Sequence, residues 1–344
     1  MKAHLFGMLP DDLSRHAAAS GIALRDDEAR RILARSISGE RAPWRKPIAK
    51  RTLAAVEAAT DRAHLEVVER AEDPADGFVK YLLRSPDGAL SEAVRIPLHA
   101  TDRFSVCLSS QVGCAMGCVF CATGRLGFTR DLEAWEMVSA FAIVRDEAPG
   151  RVTGAVFQGQ GEPFANYERV IQAARVLSHP CGGRIAARAI TISTVGIVPQ
   201  IRRYAREGHP YRLIVSLTSA VPETRRRLLP VAGRTDLADL AAALREYAAV
   251  ARGRITIAWV VMAGINTSSA EVEALRSLLG DLPLRVNVID VNDAREDGFR
   301  RADDAERKAL MDRLQVLGAP IVRRYSGGAS RHAACGMLAA TRSG

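Results

Sequence analysis

The chain reads as an α/β protein: an open, partial (β/α)6 TIM-like barrel preceded by a small N-terminal helical and β-hairpin accessory unit. Three observations predict this. From about Arg103 onward, short apolar runs alternate with helical patterns, the mark of parallel β/α construction. Six such runs occur, which fits an open partial barrel better than a closed eightfold one. Ahead of them, two alternating stretches flank a Pro-Asp-Gly turn and read as a hairpin. A length of 344 residues allows one large core with a small unit beside it, so residues 1–100 are assigned to the accessory unit and 101–344 to the barrel.

The elements follow in order. Asp26 is placed to cap a helix whose apolar positions Ala29, Ile32, Leu33 and Ile37 recur at helical spacing, and Gly39 ends it. The segment Ala42-Pro43-Trp44-Arg45-Lys46-Pro47 breaks the pattern, after which 52–60 reads as an alanine-rich helix. Residues 78–84 and 89–96 form the hairpin around Ser85-Pro86-Asp87-Gly88, with proline and glycine at the positions a type I turn favours. Barrel strands are expected at 104–108, 153–157, 189–193, 212–217, 255–261 and 284–289. Helices between them include 132–144 and 167–177. Loops that follow the strands gather at one face of such a barrel and carry its chemistry.

Composition narrows the setting. No apolar run approaches the roughly 18–20 residues of a membrane span, and the first nine residues lack a signal-peptide core, so a cytoplasmic protein is expected. Six cysteines then point to metal or redox chemistry before a secreted disulfide framework. A formal charge of +9 and a pI near 9.6 favour a polyanionic partner, with RNA the leading candidate. Of the 48 basic residues only five are lysine, a skew that fits genomic base composition as well as guanidinium recognition of phosphate.

The most informative stretch is Cys114-Ala115-Met116-Gly117-Cys118-Val119-Phe120-Cys121, in the loop after the first barrel strand. A structural zinc site wants four protein ligands, and nothing local supplies the fourth. A 4Fe-4S cluster held by three thiolates instead leaves one iron open to a substrate or cofactor. One β/α unit later comes Gln158-Gly159-Gln160-Gly161-Glu162-Pro163. Its glycines allow close backbone approach to a ligand, and its carboxylate can accept from an ammonium group, although a plain strand-to-helix turn would read the same way.

These residues fall into a longer series: Cys107-Leu108-Ser109-Ser110-Gln111-Val112-Gly113-Cys114, Gly161-Glu162-Pro163, Ser193-Thr194-Val195-Gly196, Val215-Ser216-Leu217, Val286-Asn287 with Asn292, and Ala333-Ala334-Cys335-Gly336. In this order they resemble the RlmN/Cfr family of radical S-adenosylmethionine (SAM) methyltransferases, which act on adenosine in RNA. The resemblance implies a radical SAM barrel with one 4Fe-4S cluster on Cys114, Cys118 and Cys121. It further implies SAM held by Gly161, Glu162, Ser193, Ser216, Leu217, Thr218 and Asn292. Four positions depart from the family pattern: Thr218 stands where histidine is usual, Gln158 and Gln160 replace methionines, and Asp293 after Asn292 replaces the proline of Asn-Pro.

The resemblance also implies a mechanism. One SAM methylates Cys335, and a second is cleaved with an electron from the cluster to give a radical that takes hydrogen from that methyl group. The methylene carbon then adds to adenine, Glu92 accepts a proton from the adduct, with Cys107 as a competing acceptor, and Cys107 attacks the Cys335 sulfur to free the product and leave a transient disulfide. Implied partners are ribosomal RNA, with transfer RNA as a second substrate, and an electron donor such as flavodoxin or ferredoxin. Carbon 2 of adenosine is the favoured target and carbon 8, the Cfr outcome, the runner-up. Two rivals stay open: a radical SAM enzyme acting on a non-RNA substrate, and a zinc-stabilised RNA-binding protein without catalysis.

Overall fold

The structure, a computed structural model, describes residues 3–37, 46–100, 102–251, 253–292, 295, 298–325, 327 and 337. The amino-terminal part contains β1 (Ala3–His4), α1 (Pro10–Ala19), α2 (Asp26–Ile37), α3 (Lys50–Ala59), β2 (Thr60–Asp61), and the strands β3 (Glu66–Glu72), β4 (Val79–Arg84) and β5 (Leu90–Pro97). Helix α2 buries Ala29, Ile32, Leu33 and Ile37 as their spacing predicts. Its first turn is closed by Glu28 reaching back to the amide of Arg25 (3.1 Å), whereas Asp26 is already helical. The predicted hairpin forms, with Gly88 at φ +86.

The barrel follows: β6 (Arg103–Leu108), β7 (Gln111–Gly113), α4 (Ala122–Leu126), β8 (Phe128–Asp131), α5 (Ala134–Glu147), β9 (Arg151–Phe157), α6 (Tyr167–Ser178), β10 (Ile190–Thr194), α7 (Val198–Glu207) and β11 (Arg212–Ser216). Then come α8 (Pro222–Leu228), α9 (Leu237–Val250), β12 (Ile255–Val261), α10 (Ser269–Leu279), β13 (Leu284–Asp290), α11 (Asp304–Leu314) and β14 (Ile321–Arg324). One ten-stranded sheet has the order β14-β13-β12-β11-β10-β9-β6-β5-β4-β3. Strands β6 and β9 to β14 run parallel, so a seventh parallel strand, β14, extends the six expected.

The hairpin is not a separate layer. Antiparallel pairing of β5 with β6 joins it to the barrel, and the unpredicted β3 adds the edge. The helices before it pack on the outer layer: His4 stacks on Trp135 of α5 with ring centroids 4.1 Å apart, and Arg145 donates to the carbonyl of Ile37 (2.7 Å).

Period-two alternation then sorts the side chains. Val106, Leu108, Ala155, Phe157, Ile190, Ile192, Leu213, Val215, Ile257 and Trp259 face the helices in one continuous core. The opposite face, the barrel interior, carries smaller apolar clusters of Ile214, Ala258 and Ile289, and of Val94, Cys107 and Val156. Every polar residue on that interior face is therefore placed by the same alternation that builds the core.

Candidate active site

The cysteine loop hangs from a two-stranded ribbon, β7 paired with β8. Gly113 (φ +74) and Gly127 (φ +76) pinch its base, where Cys114 N donates to Gly127 O (2.8 Å). A Cβ on Gly113 would lie 1.9 Å from that same carbonyl, so only glycine fits. Within the loop Cys121 N donates to Cys118 O (3.0 Å), and Gly124 lies against the Cys118 backbone. Burial pushes the Cys114 thiol up to about 11 and raises that of Cys118 as well, so the bare loop holds neutral thiols whose protons must leave when a metal binds.

All three cysteines line one cleft, together with Gly161, Glu162, Ser193, Ser216 and Asn292. The cleft opens to solvent on one side, with Met116, Phe120, Val195 and Val260 adding apolar wall to these polar groups. Glu162 stands in its wall with a buried carboxyl group. Burial pushes it up to about 7, opposed by donation from Val195 N (2.8 Å), the Thr194 side chain and Phe164 N (2.9 Å). A cationic ligand group beside it would hold the charged form. Gly161 shapes this turn at φ +96, where a Cβ would meet Gln111 at 2.6 Å. Gln111 also accepts from Glu162 N (2.9 Å) and donates to Asp131 (2.8 Å), a tie between cysteine ribbon and cleft.

Leu217 and Thr218 are placed differently from their neighbours. Alternation turns Ser216 inward and Leu217 outward into the helix-facing core, so only the Leu217 backbone is available to the cleft. Thr218 is buried at φ +62, outside the cleft lining, and its carbonyl accepts from Asn266 (2.7 Å).

Glu92 and Cys107 sit on the interior face of β5 and β6. Val94 pairs with Cys107 in register, which makes Glu92 the diagonal neighbour of the thiol, roughly 7–8 Å away by strand geometry. Glu92 is only 1% exposed, although a strand carboxylate usually faces water. Lys80 Nζ on β4 lies 3.3 Å from its Oε1, and Gln160 donates to its Oε2 (3.3 Å). Gln160 belongs to the 158–163 turn that lines the cleft, and its amide donates to Ser109 Oγ (3.0 Å) while Gly159 N donates to Leu108 O (3.0 Å). The turn thus joins the two groups of residues.

Cys335 lies outside the described residues. The chain that leads to it leaves β14, donates from Tyr325 to Asp76 (3.0 Å) and passes against the Phe78 and Asp76 side chains at Gly327. Phe78 packs in the same cluster as Cys107.

Comparison with known proteins decides what this arrangement is. The profile described as Radical SAM superfamily matches residues 108–276. A probable RNA methyltransferase of Anaeromyxobacter sp. (strain Fw109-5) is 49% identical, covering 97% of this chain and 98% of that protein. The dual-specificity RNA methyltransferase RlmN of Syntrophobacter fumaroxidans is 41% identical over 79% of this chain and 80% of its own length. The crystal structure of a radical SAM methyltransferase from Sphaerobacter thermophilus superposes with a TM-score of 0.89 at 34% identity, covering 98% of this chain and all of that one.

The chain belongs to the RlmN/Cfr family of radical SAM RNA methyltransferases.

In RlmN/Cfr terms the donor set fits the implied cluster. Three thiols from one short loop line the same cleft, which is the soft, three-sulfur donor set that such a cluster takes. Cys114, Cys118 and Cys121 would hold the cluster, and Glu162 lines the same cleft. The family's departure at Gln160 also gains a physical meaning, since an amide can donate to Glu92 where methionine could not. Sequence reasoning assigned no role to Lys80 or Gln111. Gln111 lies within the quoted motif series, and strand alternation puts Lys80 on the interior face, opposite Val94.

Proposed function

We propose that this RNA methyltransferase modifies carbon 2 of an adenosine in large-subunit ribosomal RNA and accepts transfer RNA as a second substrate. The carrying observation is the pairing of Glu92 and Cys107 as interior neighbours tied through Gln160 to the cysteine cleft. The name of the Syntrophobacter relative, dual-specificity RNA methyltransferase, supports two RNA substrates. When bound, the cluster and SAM supply the hydrogen-abstracting chemistry that an aromatic carbon without an acidic hydrogen requires.

The chain's own residues do the rest. Glu162, Ser193, Ser216 and Asn292 hold SAM in the cleft, and Cys335 carries the methyl group to be transferred. Glu92 takes the proton from the RNA adduct, its charge held ready by the Lys80 ammonium. The Cys107 thiolate attacks the Cys335 sulfur, the electron pair of the broken sulfur–carbon bond stays on the methylene carbon, which takes up a proton to become the methyl group, and a disulfide remains for external thiols to reduce. Residues 1–100 grip the RNA, and a flavodoxin or ferredoxin in the cytoplasm supplies electrons. Among the described residues no helix is long and apolar enough to cross a membrane.

Anaerobically reconstituted enzyme, incubated with SAM, reductant and ribosomal or transfer RNA, should yield 2-methyladenosine by nucleoside mass spectrometry. Production of 8-methyladenosine would reassign the carbon, and no methyladenosine from any RNA would reject the reading.

A further inference from the structure

Helix α8 carries Arg225-Arg226-Arg227, of which Arg226 and Arg227 are exposed while Arg225 is only 1% exposed. Its Nη2 donates to Val195 O (2.7 Å), and its Nη1 donates to the carbonyls of Leu217 and Ser216. The Nε has no acceptor, and among the described residues no carboxylate pairs with this guanidinium. A buried cation that meets only carbonyl dipoles is costly, because dipoles offset its lost hydration incompletely. Arginine stays charged even so: burial lowers it to about 10, still well above neutral pH. The protein therefore holds a permanent positive charge in its interior, and among the described residues no carboxylate lies against it.

The missing negative charge has a place nearby. The carboxy-terminal end of α8 closes over the cysteine loop: Val119 N donates to Leu228 O (3.1 Å), and Cys118 packs with Leu228, Leu229 and Ala232. Three thiolates outweigh the positive charge of an iron–sulfur core, so a loaded cluster is anionic and gains a further negative charge on accepting an electron. We propose that Arg225 is the buried counter-ion of this cluster, a positioning residue that makes its reduction easier while pinning the ends of β10 and β11 that frame the cleft. The proposal rests on the cluster site assigned above.

The test uses the reconstituted holoenzyme and its Arg225→Gln and Arg225→Lys variants, with bound iron and sulfide measured first and the cluster then titrated with dithionite under electron paramagnetic resonance. Uptake of no iron by the unsubstituted protein would overturn the cluster site itself. Given a loaded parent, Arg225→Gln should lower the equilibrium constant for reduction about tenfold, which is about 59 mV more negative for one electron. Arg225→Lys should stay near the parent. A glutamine variant titrating within about twofold of the parent would overturn the proposal, as would a lysine variant shifted as far as glutamine. Should Arg225→Gln hold no iron, Arg225→Lys must hold it and titrate as the parent does. Loss of iron from both variants would leave the guanidinium's hydrogen bonds, rather than its charge, as its role.

Discussion

Replacing Lys80 by methionine tests the buried pair that underlies the assignment of Glu92. At the observed 3.3 Å and an effective dielectric of about 20, the gross attraction between the two charges is about 5 kcal/mol. Both side chains are at most 5% exposed, so water can replace little of it. Removing one partner of such a pair costs about 3–5 kcal/mol, because the other charge is left in the interior. Lys80→Met should therefore lower the unfolding free energy by about 3–5 kcal/mol, read as a fall in the urea midpoint with an unchanged slope. Lys80→Met combined with Glu92→Met should recover most of that loss, since a buried pair replaced by apolar residues of similar volume is about neutral. A single variant within about 1 kcal/mol of the parent would refute the reasoning, as would a double variant whose cost equals the sum of the two singles.

Three further outcomes follow from the same geometry. Gly161→Ala should destabilise by about 2–5 kcal/mol, from backbone strain at φ +96 plus the clash with Gln111, and should weaken SAM binding measured by calorimetry; full affinity would show that the turn yields freely. Cys335→Ala should keep iron and still release deoxyadenosine while forming no methylated RNA; full turnover would remove that thiol from the mechanism. Burial works to raise the Glu207 carboxyl, but donation from Tyr167, Arg203 and His209 outweighs it and lowers the group to about 2. A folded value below the unfolded one stabilises above about pH 4.5 and loses that contribution as pH falls toward 2, so Glu207→Gln should flatten the acid limb of a melting-temperature profile, and an unchanged limb would count against the network.

Much of the architecture is legible because it is written in local pattern. The six expected strands lie where alternation and apolar runs place them, and the cysteine spacing is a contiguous signal. The two strands of the ten-stranded sheet that were missed are both its edges and have charged sequences, Glu66–Glu72 and Ile321–Arg324. Edges bury little and carry charge, so their apolar signal is weak; Arg323 in β14, for instance, pairs with Asp290 on its neighbour (3.0 Å). Ser216 and Leu217 show what a motif alone leaves open: the Ser216 side chain lines the cleft while that of Leu217 packs in the helix-facing core. The Lys80–Glu92 pair joins two strands, and Arg225 is one of three successive arginines; which partner or which direction each takes depends on packing that no single segment encodes.

The antiparallel seam between β5 and β6 makes the first hundred residues and the barrel one hydrogen-bonded fabric. A truncation near residue 100 would not liberate an intact catalytic fragment but would strip a flank from β6, baring the ladder groups of the strand that carries Cys107. It would also remove Glu92 and Lys80, whose buried pair lies on strands continuous with the barrel sheet. Minimal versions of this enzyme must begin upstream of β3.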